Sequence, residues 1–266
     1  GASNLSYAFR LVHLPVGLVG VAVGTAVLAE ASRLAAIHDH KGARETLGEA
    51  LMLCLAFAAP AAAGLFVLGR PIADMLLFGG QMKAEGAAEV GLTIRWFSPA
   101  VIFYCAVKVV VPFFYAQGKV RVPVFGTVAA VVANLACGLL TYRWLGWNGL
   151  ALALGVGQMA NLALLLGVVR ALYGGPAPAA LGRLLKIALA SVACGLASAA
   201  ALSLLPQGLG VGMRLARGLL PVAAGGAVYL VAGALLRCPE ITSLLRAGRR
   251  LLRPPRKIEH QQDDQV

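Results

Sequence analysis

Seven long apolar segments occupy almost the whole of this 266-residue chain and leave it few ways to fold. A bilayer core of about 30 Å is crossed by roughly 20 apolar residues in a helix, and in hydrocarbon the backbone polar groups must be satisfied inside the structure that crosses. The segments place such helices near 5–31, 47–69, 90–115, 122–141, 149–169, 184–205 and 215–236. No alternation of the β-barrel kind is present. The sequence is 59% hydrophobic and only 13% charged, against about a quarter charged in a soluble domain. These observations predict an all-α integral membrane protein with about seven transmembrane helices.

Basic residues set its expected orientation. With the C-terminus inside, the inner segments carry fifteen: Arg33, Lys41, Arg44, Lys119, Arg121, Arg170, Arg183, Lys186 and seven from Arg237 to Lys257. The outer segments carry five, Arg70, Lys83, Arg143, Arg214 and Arg217. This is the positive-inside bias, so a cytoplasmic C-terminus is expected. The tail from Pro239 interleaves Ile241, Leu244, Leu245, Leu251 and Leu252 with arginines, a pattern suited to an amphipathic helix on an anionic leaflet. Its end, from Glu259 to Val266, is polar and expected to be disordered. The bias and the tail account for the net charge of +12, so no nucleic-acid partner is implied; membrane lipids are.

Charges within the spans are the clue to function. Each costs at least about 2.5–3.5 kcal/mol in hydrocarbon, so it normally faces a partner, a cavity or something transported. In the first helix Arg10, His13, Gly17, Gly20 and Gly24 are spaced 3, 4, 3 and 4 residues apart and fall on one helical face. The stripe reads either as a small-residue packing seam with Arg10 snorkelling outward, or as one wall of a cavity in which Arg10 grips phosphate. Lys108 lies roughly 12 Å from the inner end of its helix, too deep to snorkel with ease. It is either a ligand or a buried lysine satisfied by helix carbonyls. Trp96 and Phe97 at one end and Phe113, Phe114 and Tyr115 at the other suggest interfacial belts. Arg95 reads as an anchor, Pro99 and Pro112 predict bends, and Pro71 to Phe78 suits an interfacial segment. Thr127, Asn134, Gln158 and Asn161 read as interhelical hydrogen-bond groups.

Other chemistry finds no support. The sequence has no phosphate loop, no HExxH and no GxSxG, so no enzyme, cofactor or metal is expected. His38-Asp39-His40 reads as a solvated loop. The five cysteines sit in or beside different spans, so packed thiols are expected rather than disulfides. Gly1 follows no initiator Met, and further membrane helices before it are expected.

A chain of motifs now stands out. Tyr7-Ala8-Phe9-Arg10-Leu11 runs into Leu14-Pro15-Val16-Gly17, Gly20-Val21-Ala22-Val23-Gly24-Thr25 and Ser32-Arg33. Pro60, Gly64-Leu65, Pro71-Ile72 and Leu77-Phe78 follow, then Lys108 to Ala116 (KVVVPFFYA), Pro123-Val124 and Gly149 to Ala153 (GLALA). Together they resemble the MurJ/MviN lipid II flippases of the multidrug/oligosaccharidyl-lipid/polysaccharide exporter superfamily. The resemblance implies helices eight to fourteen of a fourteen-helix flippase. Residues 1–170 would supply five helices of the C-terminal lobe, 171–236 two further helices forming a lipid-tail groove, and 237–266 the cytoplasmic tail. It implies movement of the undecaprenyl-diphosphate-linked precursor, lipid II, from the cytoplasmic to the periplasmic leaflet of the bacterial inner membrane by alternating access. Arg10 would engage the diphosphate, with His13 and Lys108 as further substrate ligands and Gly17, Gly20, Gly24 and Pro112 as packing and hinge positions. The missing N-terminal half would be the partner. Alternatives are another exporter of the superfamily or a membrane scaffold. Phe9 replaces an acid common in the family, Ala29-Glu30 a Leu-Pro step, and Gly79 to Met82 a basic-Gly-aromatic turn. Some members bind sodium beside helices eleven and twelve; here 122–141 and 149–169 contain no acid, so that site is not expected.

Overall fold

The computed structural model describes residues 2–77, 84–175, 178–206 and 210–242, with side chains from residues 6 and 85 in the first two stretches and from residue 180 in the third. All its elements are helical: α1 (Ala2–Pro15), a π turn (Val16–Gly20), α2 (Val21–Ala36), α3 (His40–Leu77), α4 (Ala84–Phe97), α5 (Ala100–Ala116), α6 (Arg121–Leu145), α7 (Trp147–Tyr173), α8 (Pro178–Ser203) and α9 (Val211–Leu235). Six helices are long and apolar enough to cross a membrane, and a seventh span results when α4 and α5 are taken together. Those two meet at 53°. Ser98 and Pro99 break the path because proline lacks an N–H and disfavours helical backbone before it; the Ser98 hydroxyl donates to the Arg95 carbonyl at 2.9 Å.

α3 organises the bundle. It packs against α2, α4, α5, α8 and α9, and its 38 residues extend about 57 Å at 1.5 Å per residue. The segment from Pro71, expected to leave the span, instead continues α3 to Leu77; Phe78 lies outside the described residues. Pro71 is itself buried there. α4 lies close on α3 because glycines meet: a Cβ on Gly69 would sit 2.6 Å from the Gly91 carbonyl oxygen, and one on Gly91 2.6 Å from the Arg70 Cα. Contact of this closeness replaces the hydrophobic drive that helices in lipid lack.

Two apolar clusters result. The larger joins α1 to α5 and α7 around Phe97, Phe113 and Phe114. These three are buried, so they are core and not interfacial belt, while Trp96 and Tyr115 remain exposed. The α5 break turns Phe97 inward beside α1, and its ring lies 5.8 Å from that of Phe9. The smaller cluster holds Ala190, Cys194, Tyr229, Cys238 and Ile241. The α8–α9 pair carries it, and both helices rest on α3. Two polar groups of this pair bridge helices: the Tyr229 hydroxyl donates to the Ala56 carbonyl at 2.6 Å and Ser198 Oγ to that of Pro221 at 3.1 Å.

Helix ends at one side of the bundle share a capping device. After α5, Lys119 N–H bonds the Phe114 carbonyl and Gly118 N–H that of Tyr115, the paired bonds of a Schellman cap with Gly118 left-handed at φ 68°. The same pairs close α2 through His38 and α9 through Arg237, at φ 56° and 50°. His38 is thus a cap, and the Asp39 carboxylate accepts from Gly42 N–H at 2.8 Å where α3 begins. At the end of α7, Arg44 donates to the Tyr173 carbonyl at 3.3 Å and Lys119 sits 4.8 Å from the Tyr173 ring. The Arg183 guanidinium grips Glu49 of α3 with two bonds of 2.6 and 2.7 Å and also donates through Nε to Glu240 at 2.7 Å. Of the amphipathic tail, residues 239–242 are described and helical, and the rest lies outside the described residues.

Candidate substrate-binding site

The stripe of the first helix does not stay on one face. Five residues of π-helix between Pro15 and Val21 insert part of an extra turn, so positions before and after it are rotated relative to a continuous α-helix. Gly20 and Gly24 face α5, where a Cβ on Gly20 would sit 3.1 Å from Lys108 Cβ and one on Gly24 would collide with the Lys108 carbonyl oxygen. Gly17 faces open space. Gly20, the last residue of the π turn, and Gly24 beyond it therefore pack on Lys108, while Gly17 packs against nothing.

Before the turn, His13 sits in an aromatic nest. Its ring stacks on Phe9 at 3.8 Å, lies 6.0 Å from Phe97 and meets the edge of Tyr104 at 4.8 Å. Nδ1 lies 2.9 Å from the Phe9 carbonyl oxygen; as donor there, it leaves Nε2 the acceptor in a neutral ring. Phe9, the departure from the acidic pattern, is thus the wall of this nest. Arg10 is exposed on α1.

Tyr104 leads from this nest to a cleft of about 540 Å³ between α5, α6 and α7. Its walls include Lys108, Pro112, Thr127, Asn134, Gln158 and Asn161. The structure thus gathers the polar residues of three helices around one lysine. Arg10 and His13 do not line this cleft, but His13 lies within electrostatic reach of Lys108, so it stands between Arg10 on the exposed face of α1 and Lys108 in the cleft. Arg95 lies elsewhere, its guanidinium 4.6 Å from the centre of the Phe66 ring. Sequence reasoning missed Tyr104 because a tyrosine amid apolar residues carries no periodic signal; its place four residues before Lys108 puts both on one helical face. Among the described residues, no cluster of three or more His, Cys, Asp or Glu could hold a metal.

Long apolar spans, one of them broken at a proline, around a polar cleft with a lysine at mid-helix define a multi-pass helical membrane protein. The family model for lipid II flippase MurJ matches residues 1–217, and the chain belongs to that family. Probable lipid II flippases MurJ from Vibrio cholerae and Rhizobium meliloti are 27% and 30% identical to it over 163 residues, 61% of this chain and 31% and 30% of theirs. The lipid II flippase MurJ of Burkholderia cenocepacia is 28% identical over 163 residues, 61% of this chain and 32% of its own. A solved lipid II flippase MurJ in an inward closed conformation superimposes with a TM-score of 0.71 at 24% identity, over 94% of this chain and 48% of that one. The matched region is therefore about a third of the relatives' length, and the chain spans about half of the solved flippase.

Proposed function

We propose that this chain is the C-terminal portion of a lipid II flippase, helices eight to fourteen of fourteen, which carries the undecaprenyl-diphosphate-linked precursor from the cytoplasmic to the periplasmic leaflet of the inner membrane. The observation that carries the reading is the pairing of the family match over residues 1–217 with cations set on α1 and α5, on either side of an aromatic nest. In this reading Arg10 takes the diphosphate, because its fork can hold two phosphate oxygens at once. His13 positions beside it, and Lys108 serves the deeper cleft. Residues 1–170 form the lobe that rocks against an N-terminal half, the partner needed for alternating access. The α8–α9 pair, seated on α3, offers a groove for the lipid tail. The positive-inside bias of the basic residues supports a cytoplasmic C-terminus.

The test is charge reversal in a complete protein carrying both halves. Arg10→Glu replaces attraction to diphosphate by repulsion and should abolish growth rescue of flippase-depleted cells at unchanged protein level and insertion. Arg10→Lys should retain part of it, since lysine keeps the charge and loses the two-pronged grip. Full rescue by Arg10→Glu would remove Arg10 from the head-group site and leave it an interfacial anchor.

A further inference from the structure

The cleft at Lys108 is more selective than a generic cationic patch. Lys108 has eight residues of α5 on either side, which sets it about 12 Å from each helix end. The residues lining the cleft include no carboxylate, and among the described residues Lys108 makes no ion pair. A charge at that depth calls for a counter-charge. Neutral amides surround it: Asn134 from α6, and Gln158 and Asn161 from α7.

Asn161 is only 5% exposed. Its Oδ1 presses on Gly126, where no Cβ would fit, and accepts no hydrogen bond. With the oxygen against α6, the donor left to Asn161 is its amide N–H, so the residues lining the cleft offer an ammonium and amide N–H groups. One lysine can neutralise one negative charge. Lys108 is exposed and is the one cation lining the cleft, so a diphosphate there would leave surplus negative charge at mid-span with no second cation to meet it. A carboxylate is a monoanion with two oxygens, one for the ammonium and one for an amide N–H, and about 540 Å³ leaves room for the group that bears it.

We propose that the α5–α6–α7 cleft is a carboxylate-binding subsite, separate from the diphosphate site at Arg10, in which Lys108 supplies the charge and Asn161 with its neighbouring amides the second contact. It rests on the assignment of Lys108 as a substrate ligand made above and names what Lys108 holds: a carboxylate borne by the transported molecule.

The experiment uses the purified chain in detergent at pH 8, with trifluoroacetate as the probe and its ¹⁹F line width as the readout. Saturable broadening should be reversed by acetate, absent with trifluoroethanol as the neutral counterpart, and at least tenfold less sensitive to inorganic phosphate than to acetate. Lys108→Met should weaken binding at least tenfold and Asn161→Leu at least threefold. Lys108→Arg should retain binding within about threefold, and Arg95→Met, outside the cleft, should leave it unchanged. Equal binding by Lys108→Met, or equal competition by phosphate, overturns the proposal. Should Lys108→Met lose its helical circular dichroism, Asn161→Leu decides, and wild-type affinity in that variant overturns it too. Loss of probe binding when these helices are joined to the N-terminal half of a relative would give the cleft to a protein carboxylate and overturn the ligand reading. Rescue by Arg10→Glu with carboxylate binding intact would instead sink the diphosphate assignment alone.

Discussion

At the scale of single residues, the position of Lys108 depends on atoms that are missing from its neighbours. Gly20 and Gly24 let the first span lie directly on the Lys108 backbone, and so set which way its side chain leaves α5. Gly24→Ala should force the helices apart, with an overpacking cost of about 1–3 kcal/mol, read as a lowered unfolding temperature in detergent. Gly17→Ala meets nothing and should leave that temperature unchanged or slightly raised, since alanine is the better helix former. Equal effects of the two would mean that the glycines do not carry the contact. The 3 and 4 spacing of Arg10, His13, Gly17, Gly20 and Gly24 was legible as one face, and the division of that face was not. Spacing arguments presume 3.6 residues per turn, and the π turn at Val16–Gly20 has no composition that marks it. The polar side chains of α6 and α7 were legible as helix-bridging groups; that they converge on Lys108 depends on how α7 packs against α5, which no single helix encodes.

At the scale of elements, hydropathy located the spans and said less about their ends. The segment from 71 carries apolar residues at a density that suits an interface as well as a span. Its continuation of α3 follows from burial of Pro71 and from the Gly69–Gly91 approach to α4, both tertiary. The break between α4 and α5 was legible in Pro99. The aromatic residues flanking it were harder, because an interfacial ring and a core ring are the same residue in the same place along the helix until the partner helix is known. Caps were the least legible, since His38 and Arg237 are poor candidates for left-handed backbone. That mismatch is testable. His38→Gly removes a steric cost of about 1–2 kcal/mol and adds chain entropy to the unfolded state, for a net gain of about 0.5–1 kcal/mol. Thermal unfolding should shift upward for His38→Gly and downward for His38→Val, whose branched side chain fits that backbone least. A fall in the glycine variant would show that the His38 side chain makes a contact worth more than the strain.

At the scale of the whole molecule, the α8–α9 pair has its own small apolar cluster and is attached to the rest through α3 alone among the more extensively packed helices. A pair held on one helix needs a further contact if its angle to the rest of the bundle is to be fixed. The Arg183 clamp supplies this at one end, joining α3, α8 and the turn after α9 through Glu49 and Glu240. The two carboxylates differ in what they contribute. The Glu49 side chain is 68% exposed and the Glu240 side chain 4%. An exposed ion pair is worth at most about 1 kcal/mol, whereas removing one partner of a buried pair strands the other charge and costs roughly 3–5 kcal/mol. Glu49→Gln should therefore barely alter thermal unfolding, and Arg183→Met should lower it well beyond that. The double variant Arg183→Met with Glu240→Leu should recover most of the loss, because no charge is then left buried. Hydrogen exchange gives the local readout: in Arg183→Met the amides of Ile241 and Thr242 should exchange faster, while those of α6 and α7, which make no contact with the clamp, keep their protection. Equal losses from Glu49→Gln and Arg183→Met, or loosening of α6 and α7 together with α9, would mean that the clamp sets the stability of the bundle as a whole and does not fix the angle of the pair.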